Sequence, residues 1–123
     1  HADYTIPADP IPLGTGCEVV CLKTLKDIEK QALETKYREH VTTWFHDHND
    51  KFKITRIEAP SYLKNSNFRL TIDTPQDFAL MEKVFLELNP NSTINLEDVI
   101  NFLKSHPEAV SLNSDIAQKD WRA

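Results

Sequence analysis

The stretch Arg69-Leu70-Thr71-Ile72-Asp73-Thr74-Pro75-Gln76-Asp77-Phe78 decides the fold class, because it reads as a strand that ends on a carboxylate and turns at once into a helix. Leu70, Thr71 and Ile72 form a short β-branched and apolar run, closed by Asp73, a residue type that strands disfavour. Thr74 is placed to accept a backbone N–H as N-cap, Pro75 suits the first helical position, and Asp77 completes a T-x-x-D capping pattern. A strand running straight into a capped helix is the repeating joint of α/β folds. Ligands gather outside the carboxyl ends of strands in open α/β sheets, so Asp73 is a candidate to hold a hard cation beside the positive end of a helix dipole. Asp at a turn also hydrogen-bonds its own backbone, and from the junction alone that plainer role is the commoner one.

Downstream, Phe78, Met81, Val84, Phe85 and Leu88 recur at helical spacing and predict a core stripe on a helix over 75–88, ended by Asn89-Pro90. Asn95 is an N-cap candidate with Glu97 and Asp98 in the first turn. Its helix carries Leu96, Val99, Ile100 and Leu103 inward and stops before Pro107. Ala109 to Leu112 suggests a short strand. Asn91-Ser92-Thr93 matches an N-glycosylation acceptor, but such triplets arise often by chance and nothing else in the sequence points to secretion.

Upstream, Pro7, Pro10 and Pro12 with Gly14 and Gly16 make residues 6–16 an extended, turning approach. Glu18 to Leu22 reads as a buried strand, followed by a helix over about 25–33 with Leu25, Ile28, Ala32 and Leu33 on one side. A second helix over about 38–48 places Val41, Trp44, Phe45 and His48 on one aromatic face. Residues 51–58 form an edge-type strand stopped by Ala59-Pro60, and 61–67 a polar loop.

The 123 residues fit one domain, and 40% apolar with 27% charged residues describes an ordinary globular protein without an uninterrupted apolar run long enough to cross a bilayer. With 19 acidic against 14 basic residues and no basic stripe, nucleic acid is not an expected partner, nor is a membrane. The sequence opens on His1, and residues 2–16 have neither a basic start nor an apolar core, so they read as a boundary cut rather than a secretory leader. Cys17 and Cys21 in an extended strand would lie about 13 Å apart, beyond disulfide reach. They are expected to be free, buried thiols, which suits a cytoplasmic setting.

His40, His46 and His48, with Asp47 and Asp50, are the one dense group of metal-ligating types, but on a continuous helix His46 lies about 200° from His48, so solvated side chains at a helix end are expected instead of a metal site. Arg38-Glu39 offers a forked donor and an acceptor at one place, suited to a hydroxylated or carboxylated ligand, although a surface ion pair is the simpler reading. The same holds for Arg69, whose strand position could equally put its guanidinium in solvent.

Four segments in order resemble the C-terminal half of the spore-coat-polysaccharide-type cytidylyltransferases, relatives of the CMP-sugar-acid synthetases. They are Pro12-Leu13-Gly14-Thr15-Gly16-Cys17-Glu18-Val19-Val20, Arg38-Glu39-His40-Val41-Thr42, the segment Arg69 to Phe78, and Asn95-Leu96-Glu97-Asp98-Val99. The resemblance implies an α/β fold, the C-terminal portion of a Rossmann-like nucleotidyltransferase sheet with flanking helices, with residues 1–123 a single domain or fragment. It implies CTP and a sugar or sugar-acid acceptor as partners, an acceptor oxygen attacking the α-phosphorus, and pyrophosphate leaving. It further implies Mg²⁺ as cofactor with Asp73 as a metal ligand, Glu18, Arg38 and Glu39 on the substrate side, and a homodimer.

The family's nucleotide loop, of the form L-x-x-R-x-G-S-x-R-L-P-x-K, and its central D-x-P segment are missing from this sequence, so these residues alone are expected to be inactive. The alternative from another class is a non-catalytic interaction or dimerisation module built on Val41, Trp44 and Phe45.

Overall fold

Tyr4 lies wholly buried at the centre of a small sheet, three residues from the start of the chain. The computed structural model describes residues 1–88 and 93–118. Strand β1, Tyr4–Pro7, runs parallel to β3, Ile54–Ile57, and antiparallel to the two-residue β2, Val19–Val20, giving the order β2-β1-β3. Tyr4 pairs with Ile54 on one side and Val20 on the other, and the period of two along β1 sends Tyr4 and Ile6 into the core. Pro7, which has no N–H to donate, closes the strand, and the ladder continues through the Ala8 N–H to the Ile57 carbonyl. The sequence reading did not foresee β1, because a four-residue strand at a proline-rich start leaves little alternation to detect.

The contacts define two compact units, one built from residues 1–8, 17–58 and 118, the other from residues 9–16 and 59–117. In the first, the sheet carries helices α1, Leu22–Glu29, α2, Thr35–Glu39, and α3, Thr43–Asp47, followed by a 3-10 turn over Asn49–Lys51. The core consists of Tyr4, Ile6, Ile28, Ala32, Tyr37 and Phe45. Phe45 stacks on Tyr4 with ring centroids 4.6 Å apart and meets Phe52 at 4.8 Å, the close offset geometry that aromatic pairs favour.

Three expectations need correction in this unit. The buried strand over 18–22 shrinks to β2, because Leu22 already begins α1; Cys17 and Cys21 are therefore exposed rather than buried, and both are free. The helix expected over 25–33 is displaced towards the N-terminus, leaving Leu33 exposed while Ala32 is buried. The single helix over 38–48 is two short helices broken at His40, whose φ of −117° and ψ of 86° are not helical. The β-branched run Val41-Thr42-Thr43, whose side chains crowd a helix, follows the break.

The second unit holds α4, Pro75–Leu88, α5, Leu96–Ser105, and α6, Pro107–Val110. Leu80 and Val84 from α4, Val99, Phe102 and Leu103 from α5, and Ala109 from α6 form its core, with Phe68 and Leu70 packed against them. Helix α4 occupies the predicted range, but it is rotated: Leu80, Val84 and Asp77 face inward, while Phe78 and Phe85 of the expected core stripe are exposed. The strand suggested at 109–112 is helix α6 and a following turn, since Pro107 at the first helical position with Glu108 in the first turn favours helix. The glycosylation triplet and the Asn89-Pro90 stop fall at least partly outside the described residues.

The predicted strand over 70–72 is reduced to one parallel bridge, Leu13 with Arg69, held by Leu13 N–H to Phe68 O and Leu70 N–H to Leu13 O. Two backbone donors that would extend a ladder, those of Asp73 and Thr74, are both taken by the Asp77 carboxylate. Gly14 makes the bridge reachable. At φ +91° it lies against the Leu70 carbonyl, where a Cβ would come within 2.7 Å.

Candidate functional site

At the start of α4 the capping pattern read from the sequence is fully formed. Thr74 Oγ1 accepts the Asp77 N–H at 3.2 Å, and Asp77 Oδ2 accepts the Thr74 N–H at 3.1 Å. Asp77 does more than cap. Its side chain is completely buried, takes two hydrogen bonds from Arg69 (Nε at 2.8 Å, Nη2 at 3.0 Å), and takes a third from Asn113 Nδ2 at 2.8 Å. Asn113 also donates to the Arg69 carbonyl. The Arg69 guanidinium, then Asn113 and the N–H of Asp73, hold the Asp77 carboxyl well below the usual carboxylate range against the opposing effect of burial.

Arg69 is ion-paired, and its side chain is only 11% exposed and held by the buried Asp77. It uses Nη2 a second time, donating to Asp73 Oδ2 at 3.1 Å. Asp73, 62% exposed, thus stands at the outer end of a row of charges Asp77–Arg69–Asp73 whose formal sum is one negative charge. A cation approaching Asp73 meets net attraction, because Asp77 already balances the arginine. Among the described residues no group of three His, Cys, Asp or Glu side chains converges as a metal site. Asp73, the exposed carboxylate of this row, could serve as one ligand of a hard cation.

The substrate-side residues predicted from the sequence lie in the first unit and do not all converge. Glu18 and Glu39 line one cleft of about 620 Å³ together with His40, Thr42, Thr43 and His46. Arg38, adjacent to Glu39 in α2, instead lines a neighbouring, more apolar cleft of about 320 Å³ with Leu25, Ile28, Ala32 and Tyr37, and Val41 borders both. The forked donor and the acceptor are therefore not presented at one place. His46 Nε2 lies 3.3 Å from the Tyr4 hydroxyl. Burial, and then the Glu18 carboxylate beside it, hold that hydroxyl well above the usual phenol range.

Sequence reasoning missed Thr43 and His46 as cleft residues because the helix was drawn unbroken through His40. It missed Asn113 for lack of any local signal: its partner Asp77 lies 36 positions away. Of the apolar face proposed as an interface, Phe45 is fully buried in the core, Trp44 half-buried and Val41 exposed.

The fold is similar to that of a cytidylyltransferase from Leptospira borgpetersenii serovar Hardjo-bovis, which superposes with a TM-score of 0.75 at 20% identity, covering 94% of this chain and 48% of that one. In sequence, the chain is 36% identical over 123 residues to an uncharacterized protein of Methanocaldococcus jannaschii, a match covering 98% of this chain and 49% of the relative. It is 32% identical over 111 residues to the spore coat polysaccharide biosynthesis protein SpsF of Bacillus subtilis, covering 89% of this chain and 46% of the relative. No protein-family model matches. The chain spans about half the length of the curated relatives it matches. The chain is thus similar in sequence to SpsF and in fold to a cytidylyltransferase, in each case over about half of the other protein's length.

Proposed function

We propose that this chain is the acceptor-side part of a CTP-utilising nucleotidyltransferase that activates a sugar or sugar acid for polysaccharide synthesis. The observation that carries this reading is the 32% identity to SpsF, which extends over 89% of the chain. In the proposed reaction an acceptor oxygen attacks the α-phosphorus of CTP and pyrophosphate leaves, so the protein's task is to position the two reactants and offset developing charge. Mg²⁺, when bound, would supply that offset as a Lewis acid. Asp73 is assigned as its carboxylate ligand, oriented by Arg69 from the buried Asp77. Glu18 and Glu39 are assigned to acceptor hydroxyls, and Arg38, on its own cleft, to a separate contact.

The 123 residues alone are proposed to lack turnover, and a homodimer is proposed for the working protein. The test is pyrophosphate release by the full-length gene product with CTP, Mg²⁺ and a panel of acceptor sugars. Asp73→Asn should abolish release while leaving the thermal midpoint nearly unchanged, since the side chain is mostly exposed; normal turnover in that variant would falsify the metal role.

A further inference from the structure

Helix α4 is apolar on two sides. Leu80 and Val84 on its inner side are buried in the core that α5 and α6 complete. At about 100° per residue, Phe78 and Phe85 lie within about 20° of one another on the outer side, with Leu86 next to Phe85. These three are 57%, 47% and 63% exposed. Helix α5, packed on the same core, shows the ordinary pattern: it buries Val99, Ile100, Phe102 and Leu103 and leaves Glu97, Asp98, Asn101 and Lys104 exposed. A helix with apolar residues on both sides belongs between two layers. Only one layer is present, for the described residues of the second unit hold helices and an isolated bridge but no strand, whereas helices of α/β folds cover a sheet.

We propose that the outer side of α4 is an interface with the other half of a polypeptide of the relatives' length, covered there by an apolar sheet face. The chain covers 49% and 46% of its two sequence relatives and 48% of the solved cytidylyltransferase, so each of those proteins has a second half of similar size. The size of the exposed face favours a tethered partner over a free one. At roughly 200 Å² for a large apolar side chain, the three residues expose about 300 Å², well short of the ~800 Å² that each partner gives to a stable dimer. A covering segment in the same polypeptide loses no separate translational freedom on docking, so a small face suffices. Charge argues against a second copy. Glu82 is exposed on the same side, midway between Phe78 and Leu86, and a two-fold pairing centred on this face would set two Glu82 carboxylates against each other. The homodimer proposed above is therefore not built on α4. The inference rests on the relatives' lengths and not on the proposed activity.

The test compares maleimide labelling of Leu86→Cys in the 123-residue protein and in the full-length gene product, with the labelled peptide located by mass spectrometry to separate it from Cys17 and Cys21. In the 123-residue protein, position 86 should react within a few-fold of its rate in urea. In the full-length product it should react at least about tenfold more slowly, at every protein concentration. Phe78→Cys, at the other end of the face, answers the same question should Leu86→Cys not fold. Equal rates in the two proteins, protection that disappears on dilution as a second copy would give, or a gene product of only 123 residues would each overturn the inference. A protected position in a full-length product that never releases pyrophosphate from CTP supports it and removes only the proposed activity. An active product labelled at the 123-residue rate does the reverse.

Discussion

Arg69 and Asp77 form a two-point ion pair, Nε to Oδ1 at 2.8 Å and Nη2 to Oδ2 at 3.0 Å, in which the carboxylate is entirely buried. Removing one member of such a pair leaves the other uncompensated, the costliest way to disturb it. Asp77→Asn should therefore lower the thermal midpoint by on the order of 10 °C, whereas Asp73→Asn, at the exposed end of the same row of charges, should leave it within a degree or two. Thermal unfolding of both variants decides the matter; equal midpoints would show that the buried pair is not a structural anchor.

The same pair sets a pH dependence. In the folded state Asp77 is held below its ordinary range by Arg69, Asp3 by the Lys53 N–H and the Thr24 hydroxyl, and Asp47 by Lys36 and the Tyr37 hydroxyl. A depressed folded value means that the stabilisation is complete above the unfolded pKa of about 3.9 and is lost as pH falls towards the folded value. Urea unfolding should give stabilities falling below about pH 4, with a shallower fall in Asp77→Asn. A variant that loses stability as steeply as the parent would remove Asp77 as a source of the slope.

The two glycines should respond oppositely to alanine. Gly14 combines a φ of +91° with a Leu70 carbonyl 2.7 Å from any added Cβ, whereas a Cβ at Gly16 meets nothing within 4 Å. Gly14→Ala should cost more than about 1 kcal/mol, and Gly16→Ala should be neutral or stabilising by a few tenths. Chemical denaturation of the two single variants measures both.

Phe45 and Phe85 look equivalent as apolar helix positions, yet one is fully buried and the other 47% exposed. Phe45→Ala should cost about 3–5 kcal/mol, enough to threaten folding at 37 °C, because it empties the space against Tyr4 and Phe52. Phe85→Ala should cost well under half as much. Comparable losses would mean that Phe85 is covered in solution.

These contrasts mark how far the residues could be read in one dimension. Local chemistry was legible: the Thr74–Asp77 capping box, the span of α4, the start of α5 after Asn95, and β3 before Ala59-Pro60 all follow from short-range propensity and punctuation. What was lost depends on distant partners. Leu70 to Ile72 has the composition of a strand, but its single bridge to Leu13 spans 56 positions (69 − 13) and ends where Asp77 claims the next two donors. The aromatic helix breaks at His40, which no glycine or proline announces, and that break brings Glu39, Thr43 and His46 to one cleft. Glu18 and Glu39 were named from resemblance, but their meeting belongs to the tertiary fold.

Residues 9–16 connect two strands of the first unit, yet they pack with residues 59–117. Neither unit is therefore a continuous length of polypeptide, and no single nick by a protease can release either one whole. During synthesis β1 and Leu13 stay without their partners until Ile54 and Arg69, 50 and 56 positions further on, have been made. Both closures are long-range, a topology that folds more slowly than one built on local contacts.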